Sequence, residues 1–214
     1  MRMSQLPTPP KRLRWAQNLG VLPEGPWLDV CAGPGEYLKH MPEGSMGIDL
    51  RPIPELNIHE WNFDAQIPVE LQRKFSVVWC SNVFEHVMDP HPFLLRLKKA
   101  LSPSDGVLVV SCPQTLFDKH LWHGAYHGDH VNFFTLKTLV DTLKFAGFEI
   151  VWSGCPSFPF LPSFAGKILG PIAPVIQVIA RPIKNWTYPP EALKKLSAEG
   201  DFEWLDLSGP YERE

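Results

Sequence analysis

WLDVCAGPG, residues Trp27–Gly35, is the stretch that decides the fold. Its first half is apolar and predicts a short buried strand, and the glycines that follow predict a tight turn. Gly33 and Gly35 accept backbone angles that other residues avoid, so a ligand can lie against the bare main chain. A helix beginning at Glu36 would add its N-terminal N–H groups. The stretch therefore predicts a binding loop for a nucleotide-like ligand, with Asp29 as an acceptor facing it.

A glycine turn alone is an ordinary connection about as often as it is a binding loop, so the composition of the chain must be considered as well. The 214 residues are 44% hydrophobic and 20% charged, which indicates a globular domain. A net charge of −3 argues against a nucleic-acid-binding protein, and the basic run Lys11–Arg14 predicts only a solvated turn of helix. The four cysteines form no C-x-x-C pair, and no signal peptide is apparent. We therefore expect reduced thiols and a cytoplasmic protein.

Apolar runs of strand length alternate with helical patterns along the chain. Strands are predicted at Trp27–Cys31, Met46–Leu50, Ile58–Phe63, Phe75–Cys80, Gly106–Cys112, Phe148–Ser153 and Val175–Arg181. Helices are predicted at Glu36–Met41, Val69–Lys74, Pro90–Leu101, Leu136–Ala146 (with Thr135 as N-cap) and Glu191–Ser197. The alternation predicts an α/β fold with a doubly wound, mostly parallel seven-stranded sheet. No helical pattern separates the last two strands, so we expect them to pair antiparallel.

The chain is expected to contain one main domain, residues 26–183, with an N-terminal arm or lid at 1–25 and a tail at 184–214. An apolar insertion at 155–174 separates the last two strands. Phe158–Ile183 is apolar enough to suggest a membrane span, but its five prolines would break a spanning helix repeatedly. We expect the insertion to roof a pocket for a partly apolar ligand. A dimer contact or a peripheral membrane contact is the alternative, so monomer and homodimer both stay open.

Three acidic residues are predicted to follow successive strands, namely Asp29, Asp49 and Asp64. The carboxyl ends of parallel strands lie along one edge of a sheet, where ligands bind. Asp49, which lies 20 residues after Asp29, can accept hydrogen bonds from both hydroxyls of a ribose. Asp64 can accept one from an exocyclic amino group such as that of adenine, and Asp29 can face an ammonium. The acids predict a nucleoside-containing ligand.

Six segments follow one another in order over Trp27–Arg181: WLDVCAGPGEYL, MGIDLRP, WNFDAQIP, FSVVWCSNVFEHVMDPHPFL, GVLVVSCP and HVNFFTLKTLVDTLKFAGFEIV. In order and spacing they resemble the motifs of class I S-adenosylmethionine-dependent methyltransferases, most closely the bacterial small-molecule enzymes. The resemblance implies a Rossmann-like methyltransferase fold with an antiparallel seventh strand. It also implies S-adenosyl-L-methionine as cofactor and an O-, N- or C-methyl acceptor of small size.

The resemblance assigns roles by position. The cofactor-binding residues it implies are Asp29, Cys31, Gly33, Gly35, Asp49, Leu50, Asp64, Ala65, Ser81 and Asn82. The family usually has glycine where this chain has Cys31. A cysteine is tolerable there if its backbone stays in the β region, although it narrows the space for the methionine moiety. This departure keeps open the alternative of a cofactor-binding regulatory protein without turnover.

Two histidines, His86 and His130, are candidate general bases because imidazole titrates near pH 7. The pair Glu85–His86 follows the fourth predicted strand, where such pairs more often cap and orient the chain. Related quinone-pathway O-methyltransferases have an acid three positions before this pair, and it helps to hold a metal ion. Here that position is Asn82, a poor metal ligand, so the resemblance does not extend to a metal site.

A second cluster of imidazoles comprises His120, His123, His127 and His130. Their spacing would suit zinc on a helix, but Gly124 and Gly128 oppose a stable helix there. We therefore predict no metal, and expect the cluster to line the mouth of the acceptor pocket or to be structural. Enzymes that methylate amino groups of bases usually carry an Asn/Asp-Pro-Pro-aromatic run after strand four. The chain has SNVF at 81–84, so no nucleic-acid acceptor is predicted.

Overall fold

The computed structural model describes residues 8–115, 130–156 and 174–188. Its strands are β1 (Trp27–Val30), β2 (Met46–Asp49), β3 (Ile58–Glu60), β4 (Val77–Ser81), β5 (Val107–Pro113), β6 (Phe148–Gly154) and β7 (Val175–Pro182). Its α-helices are α1 (Lys11–Asn18), α2 (Pro90–Ala100) and α3 (Leu136–Phe145). All seven predicted strands are present, most of them one or two residues from the expected bounds.

The strands form one sheet with the order β3-β2-β1-β4-β5-β7-β6. Strands β1 to β5 pair in parallel, whereas β7 lies antiparallel between β5 and β6. The predicted α/β sheet with an antiparallel last strand is therefore confirmed. The strand order reverses between β1 and β4, and this switch point is where open α/β sheets bind their ligands.

Alternate residues of the central strands face opposite sides of the sheet, and each side has its own apolar cluster. Leu28, Val30, Val78 and Leu108 pack on one side with Leu94 and Leu97 of α2 and with Leu139 and Leu143 of α3. Trp27, Val77, Trp79 and Val107 pack on the other side with Leu13 and Ala16 of α1. Both faces are therefore covered by helices, as double winding requires.

Helix α3 begins and ends where the sequence predicts. The Thr135 hydroxyl accepts from the backbone N–H of Thr138, and the Thr138 hydroxyl accepts from the backbone N–H of Thr135, which forms a capping box. Gly147 follows the helix with φ +78°, a conformation that glycine adopts without strain. The predicted N-cap is confirmed.

Two expected helices are shorter than the sequence suggests. Glu36–Met41 forms only a 3₁₀ turn at Leu38–His40, and Val69–Lys74 forms one at Val69–Leu71. A segment of about six residues cannot repay the entropy of helix nucleation. The expected third strand, Ile58–Phe63, ends at Glu60. The binding loop is therefore followed by a 3₁₀ turn, and the expected helix N-terminus at Glu36 is wrong.

Several predicted features lie outside the described residues: His120, His123, His127, positions 157–173 of the apolar insertion, and the helix at Glu191–Ser197. Among the residues that are described, no helix is long and apolar enough to cross a membrane. The chain divides into two compact units, Met1–Ile183 and Lys184–Glu214.

Candidate functional site

The loop after β1 turns through three residues with left-handed backbone angles. Cys31 has φ +55°, Gly33 φ +51° and Gly35 φ +71°. The expectation that Cys31 keeps a β conformation is wrong, because β1 ends at Val30 and the chain reverses at once. A side chain in this region is strained by about 1–2 kcal/mol. A Cβ added at Gly33 would meet no atom within 4 Å, so the backbone faces open space at this residue, whereas one added at Gly35 would lie 3.3 Å from Leu56.

Asp49, the last residue of β2, fixes this loop. Its Oδ2 accepts from the backbone N–H of Gly33 at 2.9 Å, and its Oδ1 accepts from that of Arg51 at 3.0 Å. Each carboxylate oxygen retains a further lone pair for a ligand. Leu50 follows with 54% of its surface exposed, and it provides an apolar side chain beside the carboxylate.

Asp29 lies within β1 and is 2% exposed. Among the residues that the structure describes, its Oδ2 has no hydrogen-bond partner, although burial of an unpaired acceptor is costly. Burial, with a smaller contribution from the charge of Asp49, raises the pKa of Asp29 to about 8. Burial and the same two carboxylates raise the pKa of the Cys31 thiol to about 12, so Cys31 is neutral. The edge beside β1 is thus rich in acceptors and suits a ligand with cationic or donor groups.

Asp64 and Ala65 lie in a turn beyond β3. Asn62 builds this turn: its Oδ1 accepts from the Asp64 N–H at 2.9 Å, and its carbonyl accepts from the Ala65 N–H at 2.8 Å. Asp64 is exposed and lies four residues past the end of β3, so the expectation that it directly follows a strand is wrong. Its role at an adenine stays a prediction.

Ser81, at the end of β4, is the centre of a hydrogen-bond network. Its Oγ accepts from Arg12 Nη1 at 3.0 Å and from Ser111 Oγ at 2.8 Å, and it donates to Tyr37 Oη at 3.3 Å. Asn82 has φ +56°, donates its N–H to the Ser111 carbonyl at 2.8 Å and accepts from Arg12 Nη1 at 2.7 Å. Asparagine is one of the few residues with a Cβ that adopt this left-handed conformation routinely.

Arg12 was not predicted to be part of the site. The sequence predicts a solvated turn of helix for the basic run Lys11–Arg14, whereas Arg12 is half-buried and reaches the end of β4. The signal that could have identified it is the helical period. Arg12 lies one turn before the buried Ala16 and beside the buried Leu13, so it flanks the packed face of α1.

Glu85, His86 and His130 come together just beyond the end of β4. The turn Phe84–His86 follows β4, and the Glu85 carbonyl accepts from the backbone N–H groups of Val131 at 2.7 Å and Asn132 at 3.1 Å. These bonds hold the segment that begins at His130 against the turn. The imidazoles of His86 and His130 meet edge to face with ring centroids 4.8 Å apart. The structure therefore brings the two predicted bases together.

Glu85 is 2% exposed, and its Oε2 has no hydrogen-bond partner within the described part of the chain. Burial raises the pKa of Glu85, while its own backbone N–H and the nearby His86, His130 and Arg12 oppose the rise. One ligand atom from each of Glu85, His86 and His130 lies within 4.8 Å of the others. The arrangement can relay a proton, and it is also a set of ligands that divalent transition metals accept.

Comparison with known proteins agrees with this geometry. A family model described as a methyltransferase domain matches residues 8–153. A methyltransferase from Mesorhizobium loti that depends on S-adenosylmethionine is similar in fold, with a TM-score of 0.57 and 20% identity over 79% of this chain and 97% of that chain. No curated protein shows significant similarity to the chain.

Two further solved structures have the same fold. One is a possible histamine N-methyltransferase from Thermotoga maritima, with a TM-score of 0.57 and 16% identity over 79% of this chain and 87% of that chain. The other is an S-adenosylmethionine-dependent methyltransferase from Aquifex aeolicus, with a TM-score of 0.55 and 18% identity over 78% of this chain and 88% of that chain. At sequence identities this low, the similarity to these structures shows the fold alone.

Proposed function

Because the chain belongs to the methyltransferase domain family and uses S-adenosylmethionine, we propose that it methylates a small, partly apolar molecule at the carboxyl edge of its sheet. The observation that carries the proposal is the pair Asp29 and Asp49 around an open, left-handed loop. In this proposal the protein is cytoplasmic and acts as a monomer or homodimer, without a nucleic-acid partner or a membrane span, and a peripheral membrane contact stays open.

The residues of the loop fit the cofactor. The unpartnered, buried oxygen of Asp29 suits the ammonium of its methionine moiety, and the free lone pairs of Asp49 suit the ribose hydroxyls. Leu50 would cover one face of the adenine. The remaining proposed contacts are Cys31, Gly33 and Gly35 along the loop, Asp64 and Ala65 at the adenine, and Ser81 and Asn82 at the methionine end.

The bound cofactor supplies a methyl group activated on a sulfonium. The chain therefore needs only to align the acceptor in line with the methyl–sulfur bond and to exclude water. An acceptor that is protonated at pH 7 also needs a base. We assign this role to the pair His86 and His130, with one imidazole taking the proton and the other passing it outward. Helix α1 would form one wall of the pocket through Arg12, which supports the N-terminal arm or lid predicted from the sequence.

Replacing Asp49 tests the cofactor site. Two charge-assisted hydrogen bonds to ribose are worth about 1.5–3 kcal/mol each, so Asp49→Ala should weaken S-adenosylhomocysteine binding by at least about 100-fold in calorimetry. Asp49→Asn keeps the shape and one acceptor oxygen and should lose less affinity. Because Asp49 also holds the Gly33 and Arg51 N–H groups, the melting temperature of each variant must be measured. Unchanged affinity in a folded Asp49→Ala protein would contradict the assignment.

The acceptor class is tested by incubating the protein and S-adenosylmethionine with a panel of small phenols, acids and amines. The S-adenosylhomocysteine that each compound causes to form is then measured. Turnover confined to protein, DNA or RNA would refute a small-molecule acceptor. With a phenolic acceptor in hand, His86→Asn and His130→Asn should each lower kcat and remove the fall of kcat at acid pH that reports the base. Treatment with a chelator should leave the wild-type rate unchanged. Loss of activity on chelation, restored by zinc or manganese, would instead assign the Glu85, His86 and His130 group to a metal.

A further inference from the structure

Gln177 is a polar side chain near the start of β7, and it is fully buried. Among the residues that the structure describes, neither its Oε1 nor its Nε2 has a hydrogen-bond partner. A buried amide without a partner destabilises the folded protein, because both of its polar atoms have lost the water that they bind in the unfolded chain. Such a group needs an explanation, and a ligand that brings the missing partner is one.

The Gln177 side chain faces the same side of the sheet as α1. Side chains alternate along a strand, and Ile179, two residues further on, belongs to the apolar cluster beneath α1. Gln177 pairs in register with Ser111 of β5, so the two side chains stand next to each other. The Ser111 hydroxyl donates to Ser81 Oγ at 2.8 Å and keeps its lone pairs. A row of uncharged polar side chains therefore crosses β4, β5 and β7.

Trp152 of β6 provides an aromatic wall beside this row. The register of β6 against β7 shifts between Ile150 and Trp152. This bulge reverses the alternation, so Ile150 packs on the side of α2 and α3 whereas Trp152 packs on the side of α1. A Cβ added at Gly154 would lie 2.3 Å from the Trp152 indole, so the ring covers Gly154. Gly154 is the partner of Gln177 in register, and the half-buried indole thus lies beside the amide.

The position of β7 separates Gln177 from the proposed cofactor contacts. Those contacts belong to β1, to β2 and to the end of β4, and the strand order places β4 and β5 between β1 and β7. A strand spacing of about 4.8 Å puts β7 about 10 Å from β4 and about 14 Å from β1. Gln177 therefore belongs to the half of the sheet that is left for the acceptor.

We infer that Gln177 binds an uncharged polar group of the methyl acceptor, which is an elongated and mostly apolar molecule. The inference rests on the proposed function and narrows it. The polar group would be a hydroxyl, carbonyl or carboxamide about 10 Å from the methylated atom, the distance from β7 to the end of β4. A neutral group fits because the amide both donates and accepts, and its neighbours in register, Ser111 and Gly154, carry no charge. The apolar body would lie against Trp152, whose half-buried indole would move to admit it.

The test uses biphenyls that differ only at the end far from the methylated hydroxyl. These are 4-hydroxybiphenyl, 4,4′-dihydroxybiphenyl, and the 4′-carboxamide and 4′-carboxylate of 4-hydroxybiphenyl. Each is titrated into the wild-type protein loaded with S-adenosylhomocysteine, and each is assayed as an acceptor with S-adenosylmethionine. The dihydroxy compound or the carboxamide should bind about 10- to 100-fold more tightly than 4-hydroxybiphenyl, since the latter leaves the buried amide unpaired. The carboxylate should bind more weakly than the carboxamide.

Gln177→Met is the decisive variant, because methionine keeps the length and shape of the side chain but has no amide. It should abolish the preference for the compounds with a distal polar group. It should also raise the melting temperature by about 2–4 °C, because it removes two unpaired polar atoms from the core. Arg181→Gln is the control, since Arg181 is exposed on the same strand, and it should keep the wild-type preference.

If Gln177 only held an internal water, Gln177→Met would bind all four biphenyls with the wild-type order of affinities. That result, or a wild-type protein without a preference for a distal polar group, overturns the inference. If Gln177→Met does not fold, Gln177→Asn decides the question, because it draws the amide back by one methylene and should reduce the preference. A wild-type protein that does not bind S-adenosylhomocysteine would refute the proposed function itself. Binding of S-adenosylhomocysteine without the preference would refute only the role of Gln177.

Discussion

Asp29 is the residue whose ionisation should most affect cofactor binding. Its pKa is raised to about 8, chiefly by burial, so most of the unliganded protein carries it protonated at pH 7. An ammonium that faces Asp29 favours the ionised form, and binding must then release a proton. We expect the affinity for S-adenosylhomocysteine to rise between pH 6 and pH 8. Calorimetry in buffers of different ionisation enthalpy should measure proton release at pH 7.

The matching variant is Asp29→Asn, which should bind weakly and release no proton. The same variant also shows how the ionisation of Asp29 affects the free energy of unfolding. The native protein retains a proton that the unfolded chain loses above pH 4, so Asp29 lowers the free energy of unfolding as the pH rises from about 4 to about 8. The difference in stability between wild type and Asp29→Asn should shrink or reverse over that range. A constant difference would show that the pKa of Asp29 is not raised.

Cys31 carries a strain that glycine would relieve. Its φ of +55° is costly for a residue with a Cβ, whereas glycine adopts it freely. After the extra chain entropy of glycine in the unfolded state, Cys31→Gly should raise the free energy of unfolding by about 1 kcal/mol in urea denaturation. It should bind S-adenosylhomocysteine at least as tightly. Cys31→Ala removes the thiol but keeps the Cβ, and an equal gain in that variant would contradict the explanation.

Single residues of the site differ in how far the sequence predicts them. Asp29 and Asp49 could be placed because each belongs to an apolar run of strand length, and register in a parallel sheet then determines the edge. Arg12 could not, because its partners Ser81 and Asn82 lie about seventy residues away and nothing local marks the contact. The backbone of Cys31 was predicted wrongly because a strand that ends at Val30 forces the turn onto the next residue.

Helix α3 offers the clearest test of an element. The capping box of Thr135 and Thr138 satisfies backbone N–H groups at the start of the helix. Thr135→Ala should lower the free energy of unfolding by about 1 kcal/mol, measured by urea denaturation. Thr135→Ser retains the hydroxyl and should lose a few tenths of a kcal/mol at most. Equal losses in the two variants would show that the methyl group, and not the cap, is responsible.

The elements that the sequence predicts well are those with long apolar periods. α2 and α3 extend over about three turns, and their buried leucines recur at helical spacing. The segments after Gly35 and after Pro68 are too short for such a period, and tertiary contacts leave them as single 3₁₀ turns. The residue types at both places favour a helix. The cost of helix nucleation depends on the length of the segment, however, and the residue types do not reveal it.

The order of the strands depends on contacts between residues that are far apart in the sequence. Local patterns predict seven strands and an antiparallel final pair, but they do not show that β7 lies between β5 and β6. That placement joins residues about seventy positions apart, such as Leu108 and Ala180, and only the structure shows it, since the family resemblance implied no more than an antiparallel seventh strand. The parallel pairing of β1 with β2 and with β4, which is also long-range, brings the carboxyl ends of these three strands to one edge.

The N-terminal segment shows how one element can serve both the core and the site. Leu13 and Ala16 are fully buried against Trp27, Val77 and Trp79, so α1 covers a face of the sheet that would otherwise be exposed. Leu13→Ala should lower the free energy of unfolding by about 2–5 kcal/mol through lost burial and a cavity.

The exposed Asn18 on the same helix is the control, and Asn18→Ala should stay within about 0.5 kcal/mol of the wild type. At temperatures where it remains folded, Leu13→Ala should bind S-adenosylhomocysteine with nearly wild-type affinity, because the substitution leaves Asp29 and Asp49 unchanged. A lid that opens and closes would give the opposite pair of results. Stability would then change little, and turnover would fall. Measuring the free energy of unfolding, the affinity for S-adenosylhomocysteine and the turnover of the same two variants therefore decides whether α1 is a fixed wall of the pocket or a moving cover over it.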